Sequence, residues 1–513
     1  MRRILVCACA LLGLLWPTSR LTVSLAASGP DSDFGGWVAD QLRAHTEQLF
    51  GFNAPLDESA LGPYDGPDNL QAIQVAPGLH VSVVSSSVAS AADQIAFWPD
   101  DDHPTHVFVC DEETSNPAVQ RVDLSGDPSS NATTIITGLS SCDPVRRTPW
   151  GTIIVAEENG QAGGLYELID PVHINGPVTV NNVTGVTSDA QHVVKRRAVG
   201  SLSFESFAIR PDGTMIYGDE LAPSGGRNGG GIYKFVPSIP FAGGGPITVA
   251  AQSPLVMGTI YGLHVGRNNN SSNWGQGAET GKGRWTAVDL TLTSVLQPDG
   301  TLKDVVESDG DINLGVAQLV QKFTGFYRPE DMDIDPIAAA NGTFRACWAN
   351  TGRMSNGFNS LVETGGVNSE VMCLVEQPNA SAPTGTTPVV SRFVPGTPER
   401  QMYDNVAFQP HTGNLVVLED GPLGVVTGQN PTVTELRGND LWICLPDGSD
   451  SDTETDGCVR FASIRDTSAE PTGFIFFGSG EEALVNIQHR HANDVLGAGN
   501  HGAMIKISGF KLH

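Results

Sequence analysis

Short apolar runs bounded by polar and glycine-containing turns fill most of the chain. Four passages share one order of polar and apolar positions: SFESFAIRPDGTMIYGDE (203–220), RPEDMDIDPIAAANGTFRACWANTG (328–352), MYDNVAFQPHTGNLVVLEDG (402–421) and PTGFIFFGSGEEALVNIQH (471–489). Each takes a polar step, runs into a short apolar strand, turns, and enters a second strand that ends on polar residues. In three of the four a further strand follows: GGGIYKFVP, SEVMCLVE and NDLWICLPDG. A related unit is TPWGTIIVAEENGQAGGLYELID (148–170), and an earlier one joins APGLHVSVVSS, ADQIAFWPD and THVFVCDEE. Units of roughly four short strands, repeated along a chain, predict an all-β fold, a β-propeller of about six mostly four-stranded antiparallel blades. A double-sheet sandwich is the second architecture. A helix is expected only near the start, in GGWVADQLRAHTEQLFGF.

Composition agrees with many strands and tight turns. The 513 residues are 40% hydrophobic and 17% charged, with 59 Gly and 33 Pro,. The length exceeds a simple single-core domain, but a propeller grows as one unit, so residues 28–513 are expected to form one propeller with a helical extension and long inter-blade insertions. Arg2 and Arg3 precede an apolar run from Ile4 to Trp16, and Ser24-Leu25-Ala26 supplies small residues for cleavage. Residues 1–27 therefore read as a secretory signal, which places the protein outside the cytoplasm. No later stretch is apolar enough to span a membrane.

The formal net charge of −28 disfavours nucleic acid, whose binding rests on Lys and Arg, and suits cations,. Six cysteines follow the signal. Cys444 and Cys458 flank a polar loop between two strands, and Cys347 and Cys373 flank another; both are expected disulfides in an oxidising compartment,. Cys110 and Cys142 either pair or serve separately.

Equivalent strand positions carry acids. In a propeller the innermost strands converge on the axis. There the repeats place Glu205, Glu330 with Asp331, and Asp404 with Asn405. Second strands end on Asp219 with Glu220, Glu419 with Asp420, and Glu157 with Glu158. Converging carboxylates repel, and multivalent cations remove the penalty. Hard oxygen donors suit Ca²⁺, Mg²⁺, Mn²⁺ or ferric iron.

Several of these passages resemble one family. FYRPEDMDIDP is similar to the RPED motif of the PhoX-type alkaline phosphatases, SCDPVRRTPWGTIIVAEENG to their Cys…TPWGT…EE segment, and AEPTGFIFFGSGEEALVNIQH to their closing segment. YDNVAFQPHTGNLVVLEDG, GGIYKFVP and GKGRWTAVDL match further parts, so the resemblance spans roughly residues 78–491. It implies a six-bladed propeller with an axial cluster of Fe³⁺ and Ca²⁺, in an exported phosphatase that acts on small phosphomonoesters, here expected as a monomer. Carried over, Cys142 becomes a thiolate ligand to iron, Glu157 the first acid of the EE pair, Glu330 a metal ligand with Asp331 beside it, and Arg328 the phosphate-binding group. Glu205 and either Glu220 or Asp219 take the middle of the ligand set. The chain departs from the family at Phe204, where His is common, at Arg490, and at Arg146 and Arg147, which replace small residues.

The chemistry expected from this set needs no protein nucleophile. Cations polarise phosphoryl oxygens and activate water, and a planar guanidinium suits phosphate. Pro329 biases Arg328 toward extended backbone. The sequence holds no GxSxG elbow, HExxH or P-loop,. Two other functions use the same fold: a calcium-dependent esterase or lactonase, and a binding propeller without chemistry. Structural readings also stand beside the functional ones: Arg328 as a bridge to Glu330 or Asp331, Cys142 as the partner of Cys110, and His489 as a packed histidine.

Overall fold

β-Branched and aromatic runs form the strands, and six of those strands line one axis. The computed structural model describes residues 34–60, 64, 68–113, 118–223, 229–266, 280–352, 369–397, 399–421, 438–448, 452–466, 469–490 and 501–512. The expected signal segment lies outside them. The inner strands are Ala92–Trp98, Cys142–Arg147, Phe204–Ile209, Pro329–Ile334, Tyr403–Phe408 and Glu470–Phe476, which define blades 1 to 6. Each packs against the next, and the sixth packs against the first, so the ring closes. Antiparallel strands step outward from each inner strand. Blades 1, 2, 5 and 6 stand as four separate sheets. Blades 3 and 4 are fused into one sheet, because Gly281–Ala287 pairs with the outer strand of blade 3 on one side and with Thr386–Pro395 of blade 4 on the other. Blade 6 takes an outer strand, His80–Ser85, from the N-terminal part of the chain, and Ile73–Val75 does the same for blade 5. These two pairings lock the ring where the chain starts and ends it.

The apolar core is divided among the blade interfaces. One cluster of buried side chains lies at each of the six faces: Phe108 and Val155 between blades 1 and 2, Phe204 and Ile154 between 2 and 3, Trp348 and Ile216 between 3 and 4, Tyr403 and Ala349 between 4 and 5, Phe474 and Val416 between 5 and 6, and Leu484 and Ile95 between 6 and 1. The expected N-terminal helix forms over Phe34–Ala44, and its Leu42 packs against blade 5. Among the described residues no helix is long and apolar enough to cross a membrane.

One irregularity recurs in every inner strand. Register slips between Ala92 and Ile95, Cys142 and Val145, Phe204 and Phe207, Pro329 and Met332, Tyr403 and Val406, and Thr472 and Ile475. A bulge re-aims the residues it contains. In five blades the first residue inside the slip is acidic: Asp93, Asp143, Glu205, Glu330 and Asp404. In blade 6 it is Gly473, at φ +56°, where a Cβ would lie 2.4 Å from the carbonyl oxygen of Asp93. Close approach of two backbones leaves no room for a side chain there.

Candidate metal centre

The bulges gather the inner-strand acids, and the ends of the second strands add another row. Glu112, Glu158, Glu220, Thr351, Asp420 and His489 each lie at or just past the inward end of their blade's second strand. The two rows interleave. Potential ligand atoms lie within 4.8 Å of one another in Asp93–Glu112–Asp143, in Asp143–Glu158–Glu205, in Glu205–Glu220–Glu330, and in Glu112–Glu470–His489. Shared members join these groups into one chain of donors running from blade 6 through blades 1, 2 and 3 to blade 4. Blade 5 faces it with Asp404, on which the charge of Glu330 acts, and Asp420, whose charge acts on Glu470.

So many carboxylates resist ionising together. Burial, followed by the charge of Asp143, holds Asp93 well above the usual carboxylate range. Burial with the charge of Asp143 does the same to Glu205, and burial with that of Glu330 to Asp404. Burial raises Glu112 to about 7. Burial and the neighbouring Glu220 raise Glu158 to about 11. Glu330 is pushed up to about 8 by burial even though Arg328 pulls the other way. Among the described residues, the buried oxygens Asp93 Oδ1, Asp143 Oδ1 and Gln94 Oε1 have no hydrogen-bond partner. Acceptors without donors at this density fit cations, and an oxygen-rich donor set with one imidazole fits hard cations.

Arg328 lies across the blade 3–4 end of this chain. Its Nε and Nη2 both donate to Glu220 Oε1 at 2.8 Å, and Nη2 also meets Glu330 Oε1 at 3.0 Å. The side chain stays 30% exposed, so the guanidinium touches both the acids and the solvent side. Its backbone differs from expectation: φ is +54°, left-handed rather than extended. Ser141 and Met402 also have positive φ immediately before inner strands, so the turn into the strand overrides the bias from Pro329,.

Of the expected site residues, the structure brings together Glu205, Glu220, Glu330 and Arg328, with Asp404 and Asp420 facing them. Four others are corrected. Cys142 is disulfide-bonded to Cys110 and sits in the apolar interface between blades 1 and 2, so its sulfur is not available as a thiolate. Glu157 turns into its blade, where it accepts the backbone N–H of Ser140 at 2.8 Å and of Gly164 at 3.0 Å; Glu158 takes the axial place. Glu419 likewise accepts the N–H of Gln401 and of Asp440, both at 3.0 Å, and leaves the inward position to Asp420. Asp331 bends away to Arg146, whose Nη2 donates to its Oδ1 at 2.7 Å, and it also accepts the N–H of Val406. The two other expected disulfides, Cys347–Cys373 and Cys444–Cys458, are formed.

Sequence reasoning missed Asp93, Asp143, Glu112 and Glu470, preferred Glu157 to its neighbour Glu158, and took His489 as packed. A signal for two of them was present: ADQIAF and CDPVRR carry an acid where FESFAI, PEDMDI and YDNVAF carry theirs.

The family model described as alkaline phosphatase PhoX matches residues 111–490. A search of curated proteins returns no match. The fold is similar to that of a PhoX from Pseudomonas fluorescens solved in complex with vanadate, a transition-state analogue, at 15% identity and a TM-score of 0.58, covering 89% of this chain and 98% of that one. A gluconolactonase from Xanthomonas campestris aligns at 11% identity with a TM-score of 0.38, over 88% of this chain and 96% of that one, a likeness too low to carry an argument.

Proposed function

Because the chain belongs to the PhoX alkaline phosphatase family, we propose that it hydrolyses small phosphomonoesters and releases inorganic phosphate at a multi-cation centre on the propeller axis. The observation that carries this reading is Arg328 laid against Glu220 and Glu330 at one end of the linked acids. Asp93, Glu112, Asp143, Glu158, Glu205, Glu220, Glu330 and His489 are the residues that would hold the cations. Ca²⁺ and Fe³⁺ both suit such oxygen donors, and without a thiolate the iron would be held by oxygen and nitrogen alone.

When bound, the cations supply charge against the phosphoryl oxygens and lower the pKa of water. The protein's own part is positional. Arg328 offers a planar fork to two phosphate oxygens, and its partial exposure leaves it reachable from solvent,. Glu220 and Glu330 hold the fork in place until an anion competes for it. Burial of the acids in the bulged ring keeps the donors fixed, so little reorganisation is needed as charge develops. Three disulfides support export to an oxidising compartment, as the N-terminal segment implies,.

The test is hydrolysis of a chromogenic phosphomonoester by purified protein, with calcium and iron quantified in the same sample. Turnover that is lost with a chelator and restored by Ca²⁺, with or without iron, supports the reading. Tightly bound metal with hydrolysis of lactones but not of phosphomonoesters would overturn it.

A further inference from the structure

Blade 4 breaks the pattern of the inward row. Where blades 1, 2, 3 and 5 end their second strands on a carboxylate and blade 6 on His489, blade 4 ends on Thr351. Thr351 is fully buried, and both its hydroxyl and its backbone N–H reach the functional passage. Its hydroxyl lies 2.6 Å from Glu330 Oε1 and 2.7 Å from the carbonyl oxygen of Tyr403. Its backbone N–H donates to the carbonyl oxygen of Arg328 at 3.1 Å. The hydroxyl therefore reaches the same Glu330 oxygen that Arg328 Nη2 reaches. The hydroxyl has one proton for two acceptors; with Glu330 ionised it goes to the charged Oε1 rather than to the neutral carbonyl of Tyr403, joins Arg328 Nη2 there, and leaves Oε2 for a cation,.

We propose that Thr351 is a positioning residue that fixes the Glu330 carboxylate between Arg328 and the cations. The inference rests on the phosphatase reading for its kinetic consequence, but its structural core is the bond to Glu330. Arg328 can form two parallel bonds with a carboxylate that offers both oxygens. The Thr351 hydroxyl opposes that pairing by holding Oε1. Without it, Glu330 turns both oxygens to Arg328, withdraws from the cations, and competes with substrate phosphate for the fork. An acid at this position would repel Glu330, so a neutral donor is what blade 4 requires.

Thr351→Val removes the hydroxyl, keeps the backbone N–H and preserves volume. The expected result is a KM for the phosphomonoester raised about tenfold or more, with kcat changed less, the scale of a lost hydrogen bond to a charged group. Calcium affinity, measured by titration calorimetry on chelator-treated protein, weakens by about threefold or more. Thr351→Ser restores both. In a Glu330→Gln background the valine change adds little, because the two residues act through one contact. Wild-type KM and calcium affinity in the valine variant overturn the proposal. So does a serine variant as impaired as valine, which would assign the role to packing of the methyl group. If the wild type binds calcium but turns over no phosphomonoester, the functional reading falls, and the calcium comparison still decides the role of Thr351.

Discussion

At the scale of single residues the site depends on which of two neighbouring acids faces inward. Glu157 and Glu158 differ by one position, yet one holds a turn and the other joins the axial donors. Glu157→Ala leaves the N–H groups of Ser140 and Gly164 without their acceptor. It should destabilise the fold by about 2–4 kcal/mol while leaving bound calcium unchanged in the folded fraction. Glu158→Gln should do the reverse, lowering calcium affinity with little loss of stability, since a protonated or neutral side chain already suits that crowded place. Thermal unfolding with and without Ca²⁺ distinguishes the two, and equal effects from both variants would refute the assignment. Arg328→Ala should reduce kcat/KM for a phosphomonoester by about 100-fold or more while calcium remains bound, as expected for removing a donor aimed at developing charge. Retained activity with lost metal would make the arginine a structural bridge.

At the scale of the element, the repeat was legible and its fine aim was not. Alternating apolar strands and polar ends announced the blades, because each strand buries both faces between neighbours and only its ends meet solvent or axis. The acids at the starts of inner strands were read in FESFAI and YDNVAF, whereas Asp93 in ADQIAF carried the same signal and was passed over. CDPVRR concealed its strand behind Pro144 and two arginines, and Asp143 was missed with it. Facing could not be read at the strand ends, since alternation fixes the relative side of two residues but not where pairing stops. The register slip in each inner strand adds a second uncertainty, for it redirects Glu330 to the cluster while Asp331 meets Arg146. Sulfur was decided by a contact that spacing did not reveal: inner strand 2 lies against blade 1, where Cys110 waits. The double variant Cys110→Ala/Cys142→Ala should therefore keep its full calcium content and near wild-type kcat once folded, at a cost of about 2–4 kcal/mol in stability. Loss of metal in proportion to the missing sulfur, measured by elemental analysis, would return Cys142 to the ligand set.

For the whole molecule, the ring gathers like charge at its centre, and this sets how stability answers to pH and cations. The raised carboxylates mean that the folded chain retains protons which the unfolded chain has released. Glu112 and Glu330, with ordinary values of 4.5, are held at about 7 and about 8 in the fold. Between those limits the native state binds more protons than the unfolded state, so stability falls as pH rises, by about 1.4 kcal/mol per pH unit for each proton retained. The acids titrate as a coupled set, so the decline should be broad rather than stepwise. Cations compete with those same protons. Calcium should therefore stabilise the fold more at pH 8 than at pH 5.5, and its binding should release protons that calorimetry in buffers of different ionisation enthalpy can count. In chelator the melting temperature should fall between these pH values; with excess calcium the fall should shrink or reverse. A chelated protein whose melting temperature rises steadily from pH 5.5 to 8 would show that the axial acids ionise freely without cations. The ring would then be a solvated mouth rather than a site that needs cations to hold its own charge.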